Sequence, residues 1–223
     1  IDERFTPLPF PEFEIHAVRE MRFPKSAIDH QGQDVSIALG EFDYKYAVEH
    51  KPGKFQGVVD PHFIELDLGN IDVNQQTLLF LTGWVFPTDT SINVSISQNP
   101  SINPRFPYLQ VKTDQGEWQT VIDLIGIPAG KNKTLVIDLT NKFLSGDRRL
   151  RIATNMQIYW DRAFFTLGNH NVPMHITRRH PNRADLHYLG FPKIYRPTPH
   201  APHLYDYSQI DRKRQWRDLE GFY

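Results

Sequence analysis

The chain has 223 residues, no cysteine and a formal net charge of −1 at pH 7. The missing cysteine excludes disulfides, thiolate nucleophiles and cysteine metal ligands. The near-neutral charge gives no overall attraction to nucleic acid or to an anionic membrane. No run approaches the roughly 20 apolar residues that a membrane-spanning helix needs. Because Ile1 is not an initiator methionine and no signal-peptide pattern follows it, we expect a processed form or a fragment.

Residues 1–27 are predicted to form an extended strap. Prolines alternate there with phenylalanines, which suits an irregular segment that lays aromatic side chains on another surface. A turn at residues 29–32 then leads into a predicted short strand at residues 35–39.

Short stretches of alternating apolar residues, separated by turn residues, dominate residues 28–167. A period of two is typical of half-buried strands, and no strong helical pattern interrupts it. The most informative stretch, residues 150–160, is predicted as one strand that brings Tyr159, Trp160 and Asp161 to a sheet end, with an extension to residue 167 after a bulge. The other predicted strands are 63–68, 77–86, 92–96, 108–112, 118–122 and 134–139. We therefore predict an all-β fold, an antiparallel β-sandwich.

Residues 168–223 differ in composition, since proline and histidine recur there and the alternation fades. We expect an irregular C-terminal segment that wraps over the sandwich or packs on a neighbouring unit. Its two basic clusters, 178–183 and 212–217, are interpreted as surface or inter-domain salt-bridge faces rather than as a nucleic-acid site, because acidic residues offset the second cluster.

Eight segments together carry a resemblance to known proteins: 62–69, 81–85, 90–94, 109–112, 118–121, 151–161, 185–191 and 216–223. They resemble a region of large bacterial proteins that carry FG-GAP propeller-type repeats, tetratricopeptide repeats or the ASPIC/UnbV module, and the similarity covers roughly residue 27 to the end. The resemblance implies neighbouring domains or subunits as partners and a periplasmic or extracellular location. It implies no particular reaction.

The "IELDLG" strand at residues 64–69 precedes a long buried strand, and a late strand is rich in arginine and isoleucine. This strand order is loosely similar to that of galactose-binding-like jelly rolls of the discoidin type. Such domains commonly bind glycans, lipid headgroups or proteins through loops at one end. The similarity implies a binding role by analogy of fold.

Sugar binding needs an aromatic face for stacking and nearby carboxylate or amide groups for the hydroxyls. Two sets of residues supply these types, and the alternative interpretation is that both tryptophans are packed in the core or at strand ends. The candidate ligand-binding residues are Trp84, Asp89, Asn155, Tyr159, Trp160 and Asp161.

His170, His175 and His180 are spaced by five residues, and His187 follows. Imidazole and carboxylate ligands suit zinc, although prolines interrupt this run and solvated loop histidines are the simpler interpretation. No aspartate-rich loop marks a calcium site, so we expect no cofactor, with zinc and calcium as the alternatives. No G-x-S-x-G elbow or nucleotide-binding glycine loop is present.

The leading interpretation is a non-catalytic binding or assembly module of a larger exported bacterial protein that mediates protein–protein contacts. A carbohydrate-binding module is the first alternative. A metal-dependent hydrolase that uses the C-terminal histidines is the second.

Overall fold

The structure is a computed structural model, and it describes residues 15–51, 53–72, 74–130, 132–168, 172–199 and 201–213. Over these residues the chain forms ten strands and one short helix, and the strands pair antiparallel. The predicted all-β antiparallel sandwich is confirmed, and the finer jelly-roll topology stays a prediction. The elements are β1 Ser26–Asp29, β2 Val58–Asp67, β3 Thr77–Val85, α1 Thr90–Ser97, β4 Tyr108–Lys112, β5 Trp118–Ile122, β6 Lys133–Asp138, β7 Arg149–Met156, β8 Ile158–Leu167, β9 Phe191–Tyr195 and β10 Leu204–Asp211.

A five-stranded sheet in the order β1-β2-β7-β4-β5 and a three-stranded sheet in the order β6-β3-β8 enclose one apolar core. Alternate residues of each strand point into it, as the period-two pattern predicts. Ile152 and Ile158 are 1% and 0% exposed, so their predicted burial is confirmed. Each fully buried aliphatic side chain contributes about 1.5–3 kcal/mol of hydrophobic stabilisation.

The stretch predicted as one strand at residues 150–160 is two strands in two different sheets. β7 belongs to the five-stranded sheet and β8 to the three-stranded sheet, and Gln157 lies between them. The backbone N–H of Gln157 donates to Gly57 and its carbonyl accepts from Phe86. The single-strand prediction was wrong because apolar alternation continues through the crossing, while the predicted extension to residue 167 is confirmed.

Irregular chain covers the outer edge of β8, which would otherwise expose unpaired backbone groups. Arg22 exchanges two backbone hydrogen bonds with Phe165, and Leu39 accepts from the N–H of Ala163. Ala47 donates to the carbonyl of Trp160 at 2.8 Å. The segments before β1 and between β1 and β2 therefore hold the edge strand that carries Tyr159, Trp160 and Asp161.

Two further strand predictions were wrong. Residues 92–96 lie in α1, where Ile92 and Ile96 are buried one helical turn apart and Val94 is exposed. Residues 35–39 form a turn in which the N–H of Leu39 donates to Val35, four residues earlier. In both segments apolar residues at alternate positions also satisfy helical spacing, so the pattern alone was ambiguous.

The two ends of the chain differ from their predictions in part. Residues 1–14 of the predicted strap lie outside the described residues, 15–25 are irregular apart from the bridge at Arg22, and β1 begins within the strap. In the C-terminal segment, 172–190 carry no strand, whereas β9 and β10 form a two-stranded hairpin that the sequence did not predict.

Candidate functional site

Two of the candidate ligand-binding residues, Trp84 and Tyr159, lie side by side. They are register partners on β3 and β8, and their rings stack with centroids 5.7 Å apart. Tyr46 contacts the Tyr159 ring at 5.2 Å, and Phe86 contacts Trp84 edge-on at 5.5 Å. Trp84 is half-buried, whereas Tyr159 is only 2% exposed. Of this pair, Trp84 is the one that offers a surface to a ligand.

The hydroxyl of Tyr159 is held inside this aromatic group. The amide of Gln157 donates to it at 2.6 Å. Burial raises the pKa of Tyr159, while the hydrogen bond from Gln157 and the charge of Arg196 act in the opposite direction. Arg196 directly follows β9, so its effect on Tyr159 shows that the end of β9 lies near this end of the sandwich.

Trp160 and Asp161 do not join a surface site. Trp160 is 1% exposed and packs in the core, where a Cβ added to Gly83 would approach its ring at 2.5 Å. Asp161 is fully buried at a β-bulge, since the register passes from Thr82–Arg162 to Gly83–Trp160 and skips it. Their assignment as ligand contacts is therefore corrected, because neither side chain reaches solvent.

Asp161 has a structural partner of its own. Its carboxylate accepts hydrogen bonds from the backbone N–H groups of Asp43 and Tyr44 at 3.2 and 3.1 Å. Tyr44 has a φ of 64°, so this carboxylate stabilises a turn with left-handed backbone. Burial raises the pKa of Asp161 to about 6 against the opposing effect of the two N–H donors.

Asp89 and Asn155 also have structural contacts. Asp89 is the N-cap of α1 and accepts from the N–H of Ile92 at 2.9 Å, which lowers its pKa. The side chain of Asn155 accepts from the N–H of Arg105 at 2.6 Å and donates to the carbonyl of Asn103 at 2.9 Å. The structure therefore assigns both residues to the support of local backbone, with Asp89 at the start of α1 and Asn155 near the end of β7.

Three histidines that sequence reasoning missed meet beside Tyr159. The rings of His50 and His62 lie 4.6 Å apart, and that of His30 lies 6.0 Å from His62. His50 contacts Tyr159 edge-on at 5.1 Å. The burial of His62 was predictable from the sequence, because His62 lies two residues before Ile64 on β2 and therefore on the same inward face of the strand.

Backbone carbonyls fix the tautomers of the two inner histidines. Nε2 of His50 lies 2.8 Å from the carbonyl of Ile158, and Nδ1 of His62 lies 3.0 Å from the carbonyl of Asp60. A carbonyl only accepts, so both of these nitrogens carry hydrogen. Burial lowers the pKa of His62 to about 3 and also lowers that of His50, so both rings are neutral at pH 7.

The histidines predicted as weak metal ligands lie elsewhere. His170 lies outside the described residues, His175 and His180 are exposed, and His187 pairs with Asp185 at 3.3 Å. Across the described ranges, no group of three or more histidine, aspartate or glutamate side chains could hold a metal ion.

The outer face of the five-stranded sheet carries a second polar and aromatic group that was not predicted. The guanidinium of Arg151 lies 4.0 Å from the ring centroids of both Phe63 and Trp118, and it donates to Glu65 at 2.9 Å. These residues occupy the outward positions of β2, β5 and β7. The sequence did contain a signal for these residues, because they occupy the outward positions of the same alternating strands whose inward positions predicted the core.

A cationic and acidic border continues this face. Arg149 contacts both Asp147 and Glu65, and Lys112 lies 3.9 Å from Asp147. Hydrogen bonds from Arg149 lower the pKa of Asp147. The face thus combines half-buried aromatic rings with fixed donors and acceptors.

The C-terminal arm, which we define as residues 172–199 and 201–213, shows the opposite character. Leu186 is 102% exposed and Tyr188 is 65% exposed. The arm's hairpin pairs with itself, β9 with β10. Other apolar side chains at least two-fifths exposed in the arm are Met174, Ile176, Leu189, Tyr195, Tyr205 and Tyr207.

Comparison with known proteins identifies no relative, since no family model, curated protein or solved structure matches this chain. A search of the described residues finds no helix of the length and apolar character needed to cross a membrane.

Proposed function

We propose that the protein is a non-catalytic binding or assembly module and that its C-terminal arm contacts a neighbouring subunit or domain. The single observation that carries the proposal is the row of large apolar side chains exposed along the arm, with Leu186, Tyr188 and Leu189 at its centre. The larger exported bacterial protein, and its periplasmic or extracellular location, rest on the family resemblance.

Burial energetics supports this role. Large contiguous apolar surface on a soluble chain marks a contact site, and tyrosine is enriched where protein interfaces carry their binding energy. A hairpin with two strands is marginal by itself in water. Packing the arm against a partner would bury Leu186 and Tyr188 and would also support β9 and β10.

Charge suggests the character of the partner's surface. Arg178, Arg179 and Arg183 are exposed in the arm, and Asp185 lies 3.7 Å from Arg183. Exposed arginines favour carboxylates across an interface, where bidentate pairing is available. We therefore expect a partner surface that combines an apolar patch with acidic residues.

Site-specific photo-crosslinking tests the proposal. A photoreactive phenylalanine analogue placed at position 188 should form one discrete adduct in cells that produce the full-length protein. The matched control is position 37, because Ile37 is 95% exposed but belongs to the sandwich. Equal adducts at both positions, or none at position 188, would contradict the assembly role.

Catalysis is tested separately. Purified chain should not turn over glycosides or esters. Turnover that disappears on a single carboxylate or serine substitution would overturn the non-catalytic part of the proposal. The metal-dependent hydrolase gains no supporting geometry from His175, His180 and His187 within the described residues.

A carbohydrate-binding module is the second candidate, and the outer face of the five-stranded sheet favours it. Half-buried Trp118 and Phe63 provide apolar surface, while Arg151 and Glu65 offer hydrogen-bonding groups for hydroxyls. Glycan-array binding should be lost in Trp118→Ala. Binding that is lost instead in Trp84→Ala would move the site to the aromatic cluster around Tyr159, and absence of glycan binding would remove this candidate.

A further inference from the structure

We propose that the partner of the C-terminal arm is a second copy of this chain, and that the arm of each copy docks on the aromatic loop of the other, which we define as residues 41–49. The inference rests on the proposed assembly role and names the partner that this role requires. Three features of the loop carry it: an exposed aromatic pair, a backbone that fixes this pair, and charges opposite to those of the arm.

The aromatic loop carries a small apolar patch on the surface of the sandwich. Phe42 and Tyr44 are 43% and 41% exposed, and their ring centroids lie 5.1 Å apart. Aromatic side chains supply much of the binding energy at protein interfaces, because each buries a large apolar area at a low cost in side-chain entropy. Leu186 in the arm of the same chain is also exposed, so contacts within one copy cover neither surface.

The backbone of the loop is fixed, although its aromatic pair is exposed. The buried carboxylate of Asp161 accepts from the N–H groups of Asp43 and Tyr44 at 3.2 and 3.1 Å, and Ala47 donates to the backbone of β8 at 2.8 Å. Tyr44 has a φ of 64°, a conformation that a bulky side chain disfavours and that the surrounding contacts must hold. A loop that is already ordered loses little entropy on binding, so this one is pre-organised for a partner.

The charges of the aromatic loop and of the arm are opposite. Residues 41–49 contain three carboxylates and one lysine, a formal charge of −2, whereas residues 172–189 contain three arginines and one aspartate, a formal charge of +2 with neutral histidines. Glu41 and Glu49 are exposed in the loop, as are Arg178 and Arg179 in the arm. Guanidinium groups can pair with carboxylates through two parallel hydrogen bonds. Each surface therefore combines apolar side chains with the charge that the other surface attracts.

Other surfaces of the sandwich match the arm less well. Met21 and Phe23 are 50% and 46% exposed, but residues 19–25 contain three cations and one carboxylate and would repel the arginines of the arm. On the outer face of the five-stranded sheet, Glu65 and Asp147 already pair with arginines of that face. Charge therefore favours the aromatic loop as the docking surface.

A second copy is favoured over an unrelated protein because each chain carries both halves of the contact. When each arm docks on the loop of the other copy, a two-fold axis relates the copies and the assembly closes as a dimer. On dilution the copies separate, and the arm of the isolated chain is again exposed, as in the structure.

Charge-reversal variants test this pairing, with the mass in solution measured by light scattering on purified protein. The unmodified chain should form a dimer that dissociates on dilution. Glu41→Lys combined with Glu49→Lys should weaken dimerisation about tenfold or more, and so should Arg178→Glu combined with Arg179→Glu. A mixture of these two double variants should restore the dimer, because each arm then meets a loop of opposite charge.

The matched control is Asp114→Lys combined with Glu117→Lys, which makes the same change of charge in the exposed β4–β5 turn and should leave the dimer intact. An unmodified chain that is monomeric at every concentration, a mixture that stays monomeric, or loss of the dimer in the control would overturn the proposal. If circular dichroism shows that a variant is unfolded, the photo-adduct formed by purified chain at position 188 decides instead: it should have twice the chain mass and map to residues 41–49. A discrete adduct with a different protein in cells would refute the second copy and leave the assembly role standing.

Discussion

The sandwich and the C-terminal arm use similar residue types in opposite ways. In the sandwich, Leu81 and Leu150 are 0% exposed, whereas Leu186 in the arm is 102% exposed. The sandwich closes two sheets over one core, and the arm pairs β9 with β10. Apolar content alone therefore does not decide burial, because a second surface must be present to cover the side chains.

The two regions also treat titratable groups differently. His62 and Asp161 are buried in the sandwich, and burial shifts the pKa of each away from its ordinary value. His175 and His180 in the arm are exposed. We expect the dependence of stability on pH to originate in the sandwich, while the arm contributes to binding.

The largest expected effect is the loss of a core side chain. Leu150→Ala should lower the free energy of unfolding by about 2–5 kcal/mol, because it removes buried methyl groups and leaves a cavity. Leu186→Ala is the matched change in the arm and should alter the free energy of unfolding by less than about 0.5 kcal/mol. Urea denaturation measures both, and equal losses would break the distinction between the two regions.

Gly83→Ala tests the close packing under Trp160. An added Cβ would lie 2.5 Å from the Trp160 ring and 2.8 Å from the carbonyl oxygen of Tyr159, so we expect a loss of about 1–3 kcal/mol. Gly146→Ala is the control, since nothing lies within 4 Å of its added Cβ. A neutral Gly83→Ala in thermal denaturation would show that Trp160 is loosely packed.

Acid should destabilise the protein through His62. Its folded pKa of about 3 lies below the ordinary 6.5, so between these values the unfolded state binds more protons and stability rises with pH. Lowering the pH from 7 to 5 should cost up to about 2 kcal/mol from this residue. The lowered pKa of His50 acts in the same direction.

Asp161 opposes this trend. Its pKa is raised to about 6 from 3.8, so in that window the folded state binds more protons and stability falls as pH rises. Asp161→Asn should therefore steepen the loss of stability on acidification, measured by urea denaturation at pH 7, 6 and 5. A shallower slope in Asp161→Asn would contradict the assignment.

The smallest expected effect concerns the helix cap in the sandwich. Asp89→Ala should cost about 1 kcal/mol, because the N–H of Ile92 at the start of α1 loses its acceptor. Asp185→Ala in the arm removes an exposed carboxylate and should cost less than about 0.5 kcal/mol. Thermal denaturation of the two variants measures both losses of stability. A larger loss in Asp185→Ala than in Asp89→Ala would contradict this order.

Local alternation predicted most of the sandwich, and long-range contacts explain what it missed. Strands β2, β3, β4, β5 and β6 followed from the period-two pattern, as did the burial of Ile152. The passage at Gln157 from one sheet to the other was not predictable, because alternation is the same on both sides of it. The capping function of Asp89 was readable locally, yet the competing alternation of residues 92–96 hid the helix.

The candidate site was less predictable than the fold. The contact of Trp84 with Tyr159 depends on the register of β3 and β8, and the burial of Asp161 depends on a bulge. His30, His50 and His62 come from two loops and a strand, so no sequence spacing marks them. The five-residue spacing marked His175 and His180 as candidate metal ligands, but both side chains are exposed.

Hydrogen exchange of the isolated protein tests the contrast between sandwich and arm most directly. We expect the amides of residues 172–189 to exchange at close to intrinsic rates, while those of β3 and β8 exchange only through rare opening of the core. Protection of residues 172–189 equal to that of β3 and β8 would contradict it, because the arm would then be part of the sandwich fold.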